Sequence, residues 1–529
     1  MKRNMEDILQ GINIGIAIGL ALNDNKENSL ELYKNIMKNS ILPTENLEEN
    51  YTQMLKKHAK LDFQAGNFNE AVLQYLDIFK NAELDAEDCL TAALSLIELN
   101  QNDAAIGFLN LYEKFGVQDF LVQKKLGQVY FSLLKDYKKA IYYYENAIKI
   151  CDEDADTFNI LGHIYSLFYK DTKLEKQLEY FMKAYTLKKN TRLYIRNVIF
   201  TLYRLGRYSE VEDFYQKLFK LNPENNDYYF YGCFLISQKR LKEGYKYLQA
   251  RFKKEDDDAS IIPAVLPEEK YWKGENLTGK TILVHCEQGF GDTILYSRFV
   301  KLLSKKARKV YFVVQDELFE LMNKSNLGAE IYSTKFELAR LDYDFYTTTM
   351  DLPLYLDFDV ENLPYKEGYL HLPHIDSHQG FKIGFAFKGN EKLKECSRDI
   401  EFETLKPLFE LKNIEIYSLQ VDNDKILPNN IADLGSLFNS FYDTARAIAG
   451  LDLIISTDNV ILNLAGALGK PSIGIFNRFI DYRWFDVKDG FSTNWYNSVK
   501  VFQNKNQDEW TPTILRVKDE INRLKEGLN

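Results

Sequence analysis

At 529 residues the chain is too long for a single core and divides, on length alone, into about three units. With 45% apolar and 27% charged residues it has the make-up of an ordinary globular protein, and a formal net charge of -10 gives no electrostatic reason to bind nucleic acid. The five cysteines, Cys89, Cys151, Cys233, Cys286 and Cys396, form no Cys-x-x-Cys pair. Neither a disulfide framework nor a zinc ribbon is indicated, and a reducing cytoplasm is the expected compartment.

Residues 1–47 read as an N-terminal helical segment. Within it, Ile8 to Leu22 is rich in Ile, Leu, Ala and Gly and has the look of a secretion signal. It contains Asn13, follows Glu6 and Asp7, lacks a small-residue cleavage site, and is shorter than the roughly 20 residues of a membrane span. A buried helix is expected there, and no other window is apolar enough to cross a bilayer.

From residue 48 to 253 the chain repeats itself. The clearest copy is Leu126-Gly127-x-x-Tyr130-x-x-Leu133 followed by Asp136-Tyr137-x-x-Ala140-x-x-x-Tyr144-x-x-Ala147, which resembles the tetratricopeptide helix-turn-helix unit. Six copies align through Ala71, Ala105, Ala140, Gln177, Val211 and Gly244, and a large residue keeps the same register at Tyr75, Leu109, Tyr144, Phe181, Tyr215 and Leu248. This spacing predicts an α-solenoid in which each large residue fills the gap left by the small residue of a neighbouring pair. The concave face of such an array typically receives a peptide or another protein, an inference from fold analogy alone.

Residues 254–279 form a linker, marked by the charge run Lys253 to Asp258, by Pro263 and Pro267, and by Trp272-x-Gly274. Beyond it, β-branched runs alternate with helical segments: Thr281 to Cys286, Val310 to Gln315, Phe345 to Thr349, Lys382 to Phe387, Ile414 to Gln420, Leu453 to Thr457 and Ser472 to Phe476. That alternation predicts parallel sheets covered by helices on both faces. Two Rossmann-like halves are expected, 280–378 and 379–529, with Pro364 to Gly380 as the hinge and a ligand cleft between them. His371, His374 and His378 in the hinge match no common metal-ligand spacing, so no metal is expected.

Two loops carry the chemistry. His285-Cys286-Glu287-Gln288-Gly289-Phe290-Gly291-Asp292-Thr293 follows the first strand and opens a helix. Gly289 and Gly291 allow close approach of a ligand, while Ile294 stands where a dinucleotide fingerprint needs its third glycine, which disfavours NAD or FAD. His285, Glu287 and Asp292 are candidate bases at the strand's C-terminal edge, although an acidic residue in a first helical turn commonly just complements the dipole. In the second half, Ser456-Thr457-Asp458-Asn459 ends a strand and starts the helix Val460 to Leu468. Its amides make a natural diphosphate cradle, with Thr457 and Asn459 able to add side-chain donors, unless Ser456, Thr457 or Asp458 merely caps the helix. Lys388-Gly389-Asn390 and Arg398 supply cations that can face the same phosphates or stay in solvent.

Taken in order, Trp272-x-Gly274, Glu287-Gln288-Gly289-x-Gly291-Asp292-Thr293, Lys388-Gly389-Asn390 with Arg398, Tyr417 to Gln420, Asp443-Thr444-Ala445, Ser456-x-Asp458, Leu464-Ala465-Gly466-Ala467-Leu468-Gly469-x-Pro471 and Asp481-Tyr482-Arg483-Trp484 resemble a known family. It is that of tetratricopeptide-fused glycosyltransferases with a heptosyltransferase-like (family 9 type) catalytic region of two Rossmann domains in the GT-B arrangement. The architecture is also similar to O-GlcNAc transferase and its relatives. The resemblance implies an α plus α/β fold, a metal-independent inverting transfer with no cofactor, and a nucleotide-diphosphate sugar as donor. It makes Asp292 the catalytic base, with His285 and Glu287 kept as accessory candidates from their place in the same loop. Gly289, Gly291, Lys388, Asn390, Arg398, Gln420, Ser456, Thr457, Asp458, Asn459 and Asn463 are implied on the donor side. The acceptor it implies is a protein held by the repeats, such as flagellin or a surface adhesin in a bacterial member, between which no residue selects. The chain departs from the family at Asn463, where His is usual, so a neutral amide stands in place of a chargeable ring. Three rivals stay open: transfer to a lipopolysaccharide-type glycan, a non-catalytic repeat adaptor with a degenerate GT-B domain, and a nucleotide-sugar epimerase.

Overall fold

The computed structural model describes residue 35 and residues 45–116, 119–253, 266–372, 380–389, 398–421, 427–485 and 487–526. The apolar Ile8 to Leu22 segment, His374, His378, Asn390 and Cys396 lie outside the described residues. Among those that are described, no helix is long and apolar enough to cross a membrane.

Six helix pairs follow one another as the repeat spacing predicts. They are α1 (Glu45–Ala65) and α2 (Phe68–Asn81), α3 (Ala86–Glu98) and α4 (Asn102–Glu113), α5 (Phe120–Ser132) and α6 (Tyr137–Ile150), α7 (Ala155–Tyr169) and α8 (Leu174–Leu187), α9 (Arg192–Leu205) and α10 (Tyr208–Phe219), and α11 (Asn225–Ser237) and α12 (Leu241–Leu248). Several helices start on an aspartate cap: Asp85, Asp119, Asp136 and Asp154 each accept a first-turn N–H. Small and large register positions alike are buried, from Ala71 and Tyr75 to Leu248. Their packing differs from the expected knob in a neighbour's gap. A Cβ on Gly127 would stand 2.8 Å from the Tyr144 ring, and one on Gly162 would stand 2.6 Å from Phe181. The large residue thus lies over a glycine in the first helix of its own pair, because only a residue without a Cβ lets the ring approach. Gln177, which replaces the usual alanine, is buried and donates from Nε2 to Thr201 Oγ1 at 3.3 Å.

Contacts divide the chain into two compact units, Met1–Val211 and Glu212–Asn529. The division falls inside α10 and not at residue 253, where the sequence pattern ended the solenoid. The reason is apolar burial: Ile236, Leu241, Tyr245 and Leu248 of the sixth pair belong to the same hydrophobic cluster as the first α/β lobe.

That lobe has a four-stranded parallel sheet in the order β3-β2-β1-β4, built from β1 (Thr281–His285), β2 (Lys309–Val314), β3 (Glu330–Ser333) and β4 (Phe345–Thr348). Helix α13 (Phe290–Leu303) joins β1 to β2, and α14 (Asp316–Lys324) joins β2 to β3. In the second lobe the order is β10-β11-β9-β8-β5-β6-β7, from β5 (Lys382–Ala386), β6 (Glu415–Ser418), β7 (Ile431–Asp433), β8 (Leu453–Ser456), β9 (Ser472–Phe476), β10 (Phe491–Ser492) and β11 (Val499–Gln503). Among these described strands only β10 runs antiparallel, so six strands follow the doubly wound 3-2-1-4-5-6 order. Helices α15 (Phe441–Ala449), α16 (Val460–Ala467) and α17 (Thr511–Glu526) complete it.

Four strands escaped the sequence pattern. β7 and β10 are too short to show a period, β3 shares the Glu-Ile-Tyr-Ser of β6 but is followed by Thr334-Lys335 where β6 continues into Leu419, and β11 interrupts its apolar run with Lys500.

The described part of the expected hinge is tied down. Tyr369 and Leu370 donate their N–H groups to Ala467 O, and the buried Tyr369 hydroxyl donates to Ile294 O at 2.6 Å. Arg298 of α13, fully buried, donates to Trp495 O at 2.7 Å. These bonds fix α13 against the second lobe, and His371 is held at 3.0 Å from Lys301 Nζ.

Candidate functional site

β1 is buried along its length and lies between β2 and β4. Its successors therefore leave in opposite directions, and the crevice at its C-terminal end is where open α/β sheets bind ligands. The chain turns there through Gln288, a non-glycine residue at φ +64°, and Gly289 caps α13 from an extended conformation. Gly289 makes no use of a glycine's left-handed freedom. Gly291 is needed for another approach: a Cβ there would lie 3.3 Å from Asn463 Nδ2 and 3.8 Å from Val460 Cα. The first-lobe loop therefore presses directly on the start of α16, a role the expectation of a ligand-facing glycine did not include.

Asp292 divides its carboxylate between two tasks. Oδ2 accepts the Gly289 N–H at 3.2 Å, the helix-capping role of an acidic residue in the first turn. Oδ1 lies 2.6 Å from Arg483 Nε of the second lobe. Burial pushes the Asp292 carboxyl above its ordinary value against the opposing pull of Arg483.

The two accessory candidates do not join it. Glu287 is bound by Arg251, from the segment following α12, through Nη2 to Oε1 at 2.7 Å and Nε to Oε2 at 3.0 Å. Thr348 Oγ1 and the Met350 N–H also donate to it, so its lone pairs are spent inside the protein. Asp351 shares the same guanidinium at 2.8 Å. His285 donates from Nδ1 to the Cys286 carbonyl at 2.6 Å, and burial lowers its pKa. The bond turns Nδ1 inward, and Asp292 is in contact with Gly289 and Arg483 rather than with the ring.

At the second corner the helix cap is Asn459, not Ser456, Thr457 or Asp458. Its Oδ1 accepts from the Ile461 and Leu462 N–H groups and from Ser456 Oγ, while Nδ2 donates to Lys388 O at 3.1 Å. Ser456 and Thr457 are buried, and Thr457 lines an apolar cavity with Phe385, Phe387 and Ile455. Both hydroxyls bond to the cap residue: Ser456 Oγ donates to Asn459 Oδ1 at 2.8 Å, and Asn459 Nδ2 donates to Thr457 Oγ1 at 3.4 Å. Gln420 accepts the Lys388 N–H at 3.2 Å and braces that loop, and Gly389 donates its N–H to Asp399 at 2.7 Å. Asn463 accepts from Tyr496 Oη at 3.1 Å and donates to Asn459 O.

Arg398 and Asp458 do meet. Arg398 Nη1 lies 3.4 Å from Asp458 Oδ2, and its Nη2 lies 3.6 Å from Asp481 Oδ2. Trp484 Nε1 donates to Asp458 Oδ1 at 2.7 Å, and Arg483 Nη1 holds both oxygens of Asp481 at 2.9 Å. An unbroken series of charges, Asp292, Arg483, Asp481, Arg398 and Asp458, thus joins the corner after β1 to the corner after β8. Their side chains are 14–25% exposed, enough for an incoming ligand to reach them. Burial raises the Asp458 carboxyl, whereas Arg483 and Arg398 hold Asp481 below its ordinary value against the same burial. Beneath lie Tyr245 and Tyr296, their hydroxyls 3.0 Å apart, and Tyr229 and Cys233 of α11 lie beside Tyr482.

Arg483, Asp481 and Trp484 had no role assigned from sequence, although the motif holding them was visible. Arg251 had no local signal at all.

No family model matches the sequence. Among curated proteins the chain is similar to Protein FlbA of Caulobacter vibrioides, 24% identical over 322 residues that cover 54% of this chain and 52% of that one. The chain thus spans about half the length of the curated relative it matches. Solved structures with local similarity include a crystal structure of MamA protein, 18% identical with a TM-score of 0.29 over 32% of this chain and 91% of that one. MamA from Desulfovibrio magneticus RS-1 (41-end) is 20% identical, with a TM-score of 0.28 over 32% of this chain and 94% of its own. Similarity at that level carries no conclusion about what the chain does.

Proposed function

We propose that the α/β unit is an inverting glycosyltransferase that moves a sugar from a nucleotide-diphosphate donor to a protein acceptor recruited by the repeats. The helical repeat array is a protein-interaction fold, which supports a protein acceptor over a free glycan. The observation that carries the reading is the position of Asp292, at the end of β1 and directed at the second-lobe residues Arg483, Asp481, Arg398 and Asp458. In the reaction, an acceptor hydroxyl or amide gives its proton to Asp292 while its heteroatom attacks the anomeric carbon. The bond from that carbon to the diphosphate breaks, and its electron pair stays on the leaving phosphate oxygen. Arg398 and Arg483 are the nearby cations able to stabilise that charge, and the first-turn amides of α16 contribute their dipole.

The test is Asp292→Asn in the full chain, assayed by intact mass of candidate acceptor proteins after incubation with nucleotide sugars. Transfer should be lost while nucleotide-diphosphate binding, measured by calorimetry, persists. Near-normal transfer by the variant would remove Asp292 as base.

A second reading, a non-catalytic repeat adaptor, is favoured by one observation: Ser456, Asn459, Gln420 and Glu287 all spend their polar atoms within the protein. Transfer or donor hydrolysis by the purified native chain would eliminate it.

A further inference from the structure

Arg483 belongs to two partners at once. It is paired with Asp481, two residues away on its own lobe, through Nη1 to both carboxylate oxygens at 2.9 Å. Its Nε lies 2.6 Å from Asp292 of the other lobe, yet this contact lacks the alignment of a hydrogen bond, and that Nε has no other acceptor. The guanidinium also lies over the Tyr482 ring, 4.8 Å from its centre. Three carboxylates, Asp292, Asp458 and Asp481, share two guanidiniums, Arg398 and Arg483. With three carboxylates on two guanidiniums, an entering diphosphate competes with a carboxylate for an arginine. The contact most readily given up is the misaligned one, which spans the lobes. The pair within the lobe is held by geometry, since the Arg483 N–H also donates to Asp481 at 3.0 Å.

We infer that Arg483 is a latch between the lobes: it pairs with Asp292 across them, and the diphosphate of the donor competes for it by displacing that carboxylate. This inference rests on the glycosyltransferase reading and adds an order to it. Arg483 moves onto the phosphates only when donor is present, and Asp292 then faces the acceptor as an unpaired carboxylate. Donor therefore binds before acceptor, and the base stays paired with Arg483 until donor binds.

Binding of inorganic pyrophosphate and of the four common nucleoside diphosphates to the full chain tests the latch. Asp292→Asn removes the competitor for Arg483, so the best-bound ligand should tighten by about fivefold. Arg483→Gln removes the phosphate's partner, and the same ligand should weaken by about tenfold or more. Arg483→Lys should fall between that and the native chain, because it keeps the charge without the fork. If Gln at 483 unfolds the protein, the near-isosteric Asp292→Asn arm decides alone. Unchanged or weaker binding by that variant overturns the latch while leaving the glycosyltransferase reading standing. A native chain that binds none of these ligands overturns both.

Discussion

At the corner between β8 and α16, Asn459 occupies the N-cap, spends its oxygen on the first amides of α16 and its Nδ2 on the Lys388 carbonyl of the loop after β5. At the corner between β1 and α13 the N-cap is Gly289, which has no side chain, and capping falls to Asp292 in the first turn. A side chain at the cap closes back on its own helix. One in the first turn can cap with a single oxygen and direct the other outward. The second lobe consequently offers a rigid floor, with cations delivered by Arg398 and Arg483 from neighbouring segments, while the first lobe offers a carboxylate that reaches across. Two loops with similar sequence signals therefore have different capacities for chemistry.

The largest expected effect lies beneath the first corner. Arg251→Met would leave Glu287 and Asp351, 2% and 1% exposed, without their shared cation. The cost should be about 3–5 kcal/mol, seen as a lower denaturant midpoint for the unit that holds β1. It would also let the 286–289 turn relax, breaking the contrast by releasing the carboxylate that now only anchors. A midpoint unchanged within error would mean the clamp is not formed in solution. At the second corner, Asn459→Ala should cost about 1–2 kcal/mol, the loss of a cap whose Oδ1 serves two helix amides. Asn459→Asp sharpens the comparison: it keeps the capping oxygen and loses the amide donor to Lys388 O and Thr457 Oγ1, so its melting temperature should lie between that of Asn459→Ala and the native value.

The repeat array was legible because its period recurs across six pairs, and the strands that were found are long and apolar enough to show their own pattern. β7, with three residues, has no period to read. At the site, Asp292 and Asp458 were identified because glycines and a strand end mark their loops. Ser456 and Thr457, expected on the donor side, bond to the cap residue Asn459, a partnership set by register at the strand end, where the run Leu453 to Ser456 is buried on both faces. Arg251 and Glu287 stand 36 residues apart and meet only through the packing of α12 on the first lobe. No local pattern encodes a pair made by tertiary contact. The same holds for Asp292 and Arg483, whose partnership depends on both lobes being folded.

The smallest effect is a displacement on the pH axis, and it tests whether the two corners communicate. Burial raises the Asp292 carboxyl above the ordinary 3.8, with Arg483 pulling it back down. A base works deprotonated, so transfer should rise with pH through a limb centred above 3.8. For folding the sign is opposite. The favourable contribution of the protonated carboxyl is complete below the unfolded value and is lost as pH rises through the folded one, a slope that Asp292→Asn should remove. Arg483→Gln takes away the nearest opposing cation, so with no donor added the limb of Asp292's own titration should move to still higher pH. A limb that stays in place would mean that Arg483 is already elsewhere when Asp292 titrates, and the second corner would then act on the first only through the bound donor.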